Sequence, residues 1–501
     1  MYNEYVLVID AGTSAIRCSA IDQNGNISFQ NQAAWPYLNS ADSPTYAKEF
    51  DTKKVWVIIC ELLYKTSNRI ASSKGKIIAV TATSQRQGIV FLDSNNSEIY
   101  SGPNHDCRAV FEGAEIDETI GEQIYKITGH TPSMLFAPAK LRWMHKNRPD
   151  SFSNPVNTLC LADWIIYRLS GELISEYSLA SGAGLLDIHN QDWNAIKLDG
   201  TPLVDNTNVT LIRAGTSVGI VQKLVSATTG IPVGTPVVVS GADTQCGLLG
   251  MSTVNEKEVG IIAGWSAPIQ MITHTPKLSE SQSTWAGCFL TPDTWVAESS
   301  ATDTGNSYKW LSQTILASHN ESFEEMDMLA SDIPVGSEGT MTFFGKPEMN
   351  VSNLGFKSGG ILFPTPVSFG GTERGHIVRS ALESIAYAIR ANLEQLQRVS
   401  GFQTPQVSIG GGMTTSNLLT EIIVNVLGRP VKISSNPNVS SLGAYLCVLN
   451  AINRKPSLNN TSLLLSDNMK ILEPDKSESQ EYEEHYFHWM KSSDKICEIE
   501  I

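Results

Sequence analysis

Val6-Leu7-Val8-Ile9-Asp10-Ala11-Gly12-Thr13-Ser14 opens the chain with four consecutive apolar residues that run into an acid and a turn of small residues. A continuous apolar run predicts a strand buried on both faces. The turn after it would let backbone N–H groups approach a phosphate closely. Near the other end, Val407-Ser408-Ile409-Gly410-Gly411-Gly412 repeats the pattern, and between the two Val237-Val238-Val239 leads into Gly241-Ala242-Asp243. Two phosphate-type turns with an isolated acid between them predict a nucleotide held in a cleft between two domains.

A chain of 501 residues exceeds what one hydrophobic core usually organises, which predicts two large domains. The strand-and-turn pattern restarts at Gly260-Ile261-Ile262-Ala263-Gly264-Trp265-Ser266, hinting at an internal duplication with its boundary near Leu248 to Thr253. The expected domains are 1–248 and 249–501, with a polar tail from about residue 456 that reads as a surface tail or terminal helix. Hydrophobic residues at 41% and charged ones at 17% fit an ordinary globular protein. A net charge of −15 argues against a nucleic-acid partner, which needs clustered Lys and Arg. The eight cysteines form no C-x-x-C pair and no signal peptide is evident, so they read as reduced thiols of a cytoplasmic protein. The longest apolar run, Val55 to Leu63, is interrupted by Glu61 and too short for a bilayer, so no membrane partner is expected. A small-molecule ligand is expected, and a homodimer stays open.

Two further strands, Ile77 to Ala82 and Gly88 to Leu92, flank the polar insert Ser84-Gln85-Arg86-Gln87. Residues at strand ends are held by a rigid sheet yet face a cleft, so this insert is a natural substrate contact. In the second half, Val378, Leu382, Ile385, Ile389, Leu393 and Leu396 follow helical spacing up to Gly401. A second helix carries Leu418 to Leu427, with Thr415 or Ser416 able to cap it and Gly428-Arg429-Pro430 as stop signals.

In the first turn, the hydroxyls of Thr13 and Ser14 suit phosphate oxygens, and the Asp10 carboxylate can hold Mg²⁺ through water. Asp243 can accept the proton of an attacking hydroxyl in phosphoryl transfer, or it can cap the helix that begins beyond it. Arg86, with Gln85 and Gln87, offers planar donors for sugar or polyol hydroxyls, and Asn104-His105-Asp106-Cys107-Arg108 adds a second polar cluster. No G-x-x-x-x-G-K-[ST] string occurs, and Gly410-Gly411-Gly412 lacks the dinucleotide spacing. Gly215-Thr216-Ser217-Val218-Gly219 spells a serine-hydrolase elbow, but Ile220-Val221 reads as extended where that motif needs a helix. His485 and His488 have helical spacing and no third metal ligand.

Taken together and in this order, the segments from about Tyr5 to Leu449 resemble the FGGY family of carbohydrate kinases. The resemblance implies an α/β protein of two ribonuclease-H-like domains of the actin and hexokinase type, with an interdomain cleft, ATP on the second domain and substrate deep between them. It implies phosphate contacts at Gly12, Thr13, Ser14 and Arg17, the catalytic base at Asp243, and Mg²⁺ at Asp10. Gly264 and Ser266 resemble the second phosphate turn, where Trp265 departs from the family's small residue. Gly411, Gly412, Ser416 and Asn417 resemble the adenosine motif, and Ser441-Leu442-Gly443-Ala444 matches a closing family segment. On the substrate side, Arg86, Gln87 and Asp106 would read hydroxyls. Those segments are most similar to kinases of the autoinducer-2 type, whose Glu is replaced here by Gln87, and to xylulokinase-like members. The implied activity is ATP-dependent phosphorylation of a small sugar, ketose or polyol. A catalytically silent nucleotide- or sugar-binding protein is the rival reading.

Overall fold

A computed structural model of the chain describes residues 3–39, 46–149, 156–206, 208–301, 304–315, 323–351, 358–366, 371–452 and 457–499. The opening apolar run forms β1 (Glu4–Ala11), and Asp22 turns the chain between β2 (Ala15–Asp22) and β3 (Ile27–Ala34). The turn closes because the Asp22 carboxylate accepts the amides of Asn24 and Asn26 while Gly25 takes a φ of 83°. β4 (Lys76–Ser84), β5 (Ser217–Ile220) and β6 (Pro236–Ala242) complete a sheet of order β5-β6-β4-β1-β2-β3. β1, β2 and β3 are antiparallel neighbours, while β4 and β6 run parallel to β1. Ser217 lies in β5 and an extended chain follows it, so the hydrolase string has no elbow and no helix.

The second sheet consists of β7 (Val259–Ile262), β8 (Ala267–Thr273), β9 (Trp285–Cys288), β10 (Trp295–Ala301), β11 (Val407–Gly410), β12 (Val431–Ser434) and β13 (Met469–Leu472). Its order is β9-β10-β8-β7-β11-β12-β13, with β7, β8 and β10 antiparallel and with β11 and β12 parallel to β7. Hence β3-β2-β1-β4-β6 and β10-β8-β7-β11-β12 are one topology used twice, the structural form of the repeated strand-and-turn pattern.

α1 (Asp243–Gly250) and α4 (Val439–Ala451) run between the sheets, while α2 (Arg374–Ser400), α3 (Asn417–Leu427) and α5 (Lys476–Cys497) pack in the second core. Gly401 and Gly428 end α2 and α3 in the left-handed conformation, as their position in sequence predicts. α4 belongs by sequence to the second half but packs on β1, β4 and β6 of the first sheet and along α1. That crossing is as close as two helices can come: a Cβ on Gly443 would lie 1.7 Å from the Cys246 carbonyl oxygen, and one on Gly250 2.2 Å from that of Val439. The C-terminal region is more than a surface tail. β13 extends the second sheet beside β12, and Tyr482, Tyr486 and Trp489 of α5 are buried in the second core. Its acidic residues occupy the other face, and they conceal the i, i+4, i+7 aromatic stripe when the segment is judged by composition.

Substituting Gly443→Ala should push α1 and α4 apart and destabilise the fold by about 1–3 kcal/mol, the usual cost of overpacking. Thermal denaturation checks this, with Gly360→Ala, whose new methyl meets open space, expected to melt like the parent.

Candidate active site

Sheet register assembles the site. Ala11 of β1 pairs with Ser84 of β4, and Ser84 pairs with Ala242 of β6. The next residues in each strand are therefore Gly12, Gln85 and Asp243, so three segments distant in sequence emerge side by side at the carboxyl edge of the sheet. This edge is where open α/β sheets place their ligands. The second sheet does the same: Ile262 pairs with Gly410, which sets the turn at Gly264 beside the one at Gly411 and Gly412.

Asp10 pairs across β1 and β2 with Arg17, whose Nη1 lies 3.6 Å from its Oδ2. Burial pushes the Asp10 carboxyl up, and Arg17 opposes the shift. Asp243 is the first residue of α1, with Ala242 in the capping position, and its Oδ1 accepts the Thr244 amide at 2.8 Å. Burial pushes its carboxyl up to about 7; Arg86 works against this, while the negative charges of Asp10 and Glu298 add to it. A carboxyl poised near neutral pH is suited to taking a proton.

Arg86 is not a free donor arm. Its guanidinium makes a two-pronged pair with Glu298 of β10, Nη2 to Oε1 at 2.8 Å and Nη1 to Oε2, so the two domains meet here across the cleft. Burial opposes the Arg86 charge, but Glu298 and Asp243 hold it protonated. Gln270, opposite Glu298 in the β8–β10 register, donates to Glu298 Oε2 at 2.6 Å. Gln87 takes a φ of 59° and turns its amide to the Gly182 carbonyl at 3.0 Å.

Asp106 departs most from expectation. It is 0% exposed, and its carboxylate already accepts from the Tyr100 hydroxyl at 2.5 Å, Arg108 Nε at 2.8 Å and the Lys48 amide at 2.9 Å. With those donors in place it shapes the loop instead of reading hydroxyls. The same loop reaches the site through Asn104, which donates to Thr13 Oγ1 at 3.0 Å and whose amide is held by Gln85 at 3.0 Å.

The first turn is fixed from beneath, with Trp35 Nε1 donating to the Gly12 carbonyl at 2.7 Å; Ser14 is exposed. In the second turn the Gly264 amide closes on the Ser266 carbonyl at 3.0 Å, and the Trp265 indole is 46% exposed. Gly411 has a φ of 117°, and a Cβ there would lie 2.5 Å from the Ala263 carbonyl oxygen, so the third turn requires glycine. Gly412 faces open space and Asn417 is exposed. Ser416 differs: buried, it caps α3 by accepting the Leu419 amide at 3.0 Å and donates to Asp327 at 2.6 Å, which leaves it a buttress behind the turn.

Glu298, Gln270, His130 and Trp285 join the cleft without having been singled out from sequence. Glu298 did carry a signal, as a lone charge in the run Trp295-Val296-Ala297-Glu298. Residues 5–250 match the family model described as "FGGY family of carbohydrate kinases, N-terminal domain", and residues 260–451 match its C-terminal counterpart. The chain is 28% identical over 462 residues to an autoinducer-2 kinase of Enterobacter sp. (strain 638), covering 88% of this chain and 85% of that one. It superposes on a ligand-bound xylulose kinase from Lactobacillus acidophilus with a TM-score of 0.84 at 18% identity over 99% of both chains. A gluconate kinase from the same organism gives a TM-score of 0.85 at 18% identity, again over 99% of both. Both halves match in order, and the sheets they build share one topology: the chain belongs to the FGGY family of carbohydrate kinases.

Proposed function

We propose that this carbohydrate kinase phosphorylates a primary hydroxyl of a linear, uncharged sugar of about pentose size, a ketose such as xylulose or an autoinducer-2-like polyol, with Asp243 as the base. The single observation that carries the assignment is the placement of Asp243 beside Asp10 at the carboxyl edge of the first sheet, its carboxyl raised to about 7. Asp243 takes the hydroxyl proton as the oxygen attacks the γ-phosphorus. The turns at Gly12 to Ser14, with Arg17, and at Gly264 to Ser266 would cradle the phosphates, while Gly411, Gly412 and Asn417 would line the adenosine. Arg86, held by Glu298, and Gln87 would line the sugar. Phosphoryl transfer asks the protein for positioning and charge stabilisation above all, and two lobes joined across the cleft serve both.

Among the described residues no cluster of three His, Cys, Asp or Glu could hold a metal ion by itself. Mg²⁺ in kinases needs only one or two carboxylates together with substrate phosphates, and Asp10 with Asp243 nearby fits that reduced set. When bound, the ion would neutralise phosphate charge. Among the described residues no helix is long and apolar enough to cross a membrane. The silent-binder reading is disfavoured by Asp243, since binding alone has no use for a base.

Asp243→Asn should lower kcat about a thousandfold, within the range for loss of a general base, and leave the KM for ATP nearly unchanged; coupled ADP release measures both. Turnover at the parental rate would remove Asp243 from the chemistry. The acid limb of kcat/KM should fall near pH 7, because the base must be ionised. Glu298→Gln should move that limb to lower pH, since it removes a negative charge and frees Arg86 to favour the Asp243 carboxylate. The same shift has a stability sign. A carboxyl raised above its unfolded value of 3.8 binds its proton more tightly when folded, so its contribution is present at acid pH and lost as pH rises through about 7. Asp243→Asn should therefore melt higher than the parent at about pH 8, with the gain vanishing near about pH 4.

A further inference from the structure

One polar atom of a buried residue near the Arg86–Glu298 pair has no protein partner. His130 follows the helix Val110–Thr128 and Gly129, and its side chain is 3% exposed. Its Nδ1 lies 2.7 Å from the Thr128 carbonyl oxygen, which can only accept, so Nδ1 carries the hydrogen. Nε2 is then a bare lone pair, and no group among the described residues donates to it. Burial pushes the imidazolium down to about 4; the Thr128 carbonyl opposes this, Arg86 adds to it, and Glu298 opposes it. The ring is thus neutral at working pH, an acceptor and not a cation.

The surroundings come from both domains. The Phe136 ring meets the imidazole edge-on at 5.0 Å, and the Trp285 ring lies 5.8 Å away. Trp285 belongs to β9 of the second domain, which is tied to the first by Trp285 Nε1 donating to the Thr131 carbonyl at 2.6 Å and by Ala286 donating to Gly129 at 3.1 Å. A Cβ on Gly287 would touch the imidazole, 3.5 Å from Cε1 and 3.9 Å from Nε2, so the glycine leaves that edge of the ring open. The Arg86 guanidinium sits over the Trp285 ring at 6.0 Å, and it also acts on Asp243. Asp243, Arg86 with Glu298, and His130 with Trp285 therefore form a sequence leading away from the reacting end.

We propose that His130 Nε2 accepts a hydrogen bond from a hydroxyl at the end of the sugar remote from the phosphorylated one, so that the site admits a hydroxyl terminus and refuses a carboxylate. This rests on the kinase reading of the same cleft. A carboxylate has no proton to offer Nε2. It also finds Arg86 already neutralised by Glu298, and three carboxylates, Asp10, Asp243 and Glu298, facing the two guanidiniums of Arg17 and Arg86. Leaving a buried acceptor unpaired is a strong discriminator, whereas exchanging apolar contacts is a weak one.

The test uses D-xylulose, 1-deoxy-D-xylulose and D-gluconate as probes with the full chain, read by ADP release at saturating ATP and by calorimetric binding without ATP. His130→Phe keeps a ring of similar size and removes the acceptor, and His130→Gln returns an acceptor oxygen. The expected result is a KM for D-xylulose raised on the order of tenfold in His130→Phe, with kcat within about threefold and most of the loss recovered in His130→Gln. The deoxy sugar should be handled equally by parent and His130→Phe, and D-gluconate should be a far poorer substrate than D-xylulose. An unchanged KM, an equal loss on the deoxy sugar, or a preference for D-gluconate overturns the assignment while leaving the kinase intact. Binding of D-xylulose that is lost in His130→Phe, without ADP release from any probe, supports His130 and sinks the kinase reading. No binding and no turnover of D-xylulose sinks both.

Discussion

The structure depends on one helix crossing. α1 starts at the end of β6 in the first sheet and leads into β7 of the second, while α4, made by the last part of the second half, returns to lie on the first sheet. The two helices touch backbone to backbone at Gly443 and Gly250, with no side chain between them. Such contact leaves no slack, because any added atom must displace main chain and not a rotamer. Asp243 is the first residue of α1, so the direction of its carboxylate is set by the same crossing that fixes the two sheets. Asp243 and the interdomain joint are one element.

A second constraint follows from where that joint leaves the cleft. Arg86 and Glu298 belong to different domains, Glu298 buried and the Arg86 side chain only 11% exposed, and neither charge would tolerate the interior alone. Breaking such a pair by removing one member is costly, although the pair itself adds little net stability. Its value here is electrostatic. Arg86 would otherwise favour the ionised form of Asp243 strongly, and with Glu298 beside it that influence is reduced, leaving the Asp243 carboxyl close to neutral pH. The pair thus sets the proton affinity of a residue that neither partner needs to touch.

Much of this was legible in the sequence, and what was not has physical reasons. The apolar runs before Gly12, Asp243 and Gly410 gave away strands whose ends carry chemistry, because a strand buried on both faces must be continuously apolar. The helices around Val378 to Leu396 and Leu418 to Leu427 were visible from their period and their terminal glycines. Spacing along a chain cannot show which donors are already engaged. Arg86, Gln87, Asp106 and Ser416 all have the right functional groups, yet Glu298, Gly182, Tyr100 with Arg108, and Asp327 meet them first. Nor could it show that α4 leaves its own half of the chain, since an almost wholly apolar helix advertises burial but not against which sheet. His130 was hidden for a third reason: one histidine after Gly129 has no pattern around it, and its meaning comes from Thr128 on one side and a strand of the other domain on the other.

The duplication also explains why only one of the two equivalent turns is preceded by an acid. Superimposing the two turns in sequence places Gly12 on Gly264 and Ala11 on Ala263, so Asp10 corresponds to Ile262. Ile262 packs against α1 where it passes Gly247, and its Cδ1 would lie 2.6 Å from a Cβ at that glycine. The same strand position therefore supplies a carboxylate in the first copy and a wedge beneath the connecting helix in the second. A second carboxylate at Ile262 would have to be buried against α1 without a counter-ion, and its negative charge would add to those of Asp10 and Glu298 in raising Asp243. Asp243 would then hold its proton above neutral pH. One acid per pair of turns is what keeps the Asp243 carboxyl close to neutral pH.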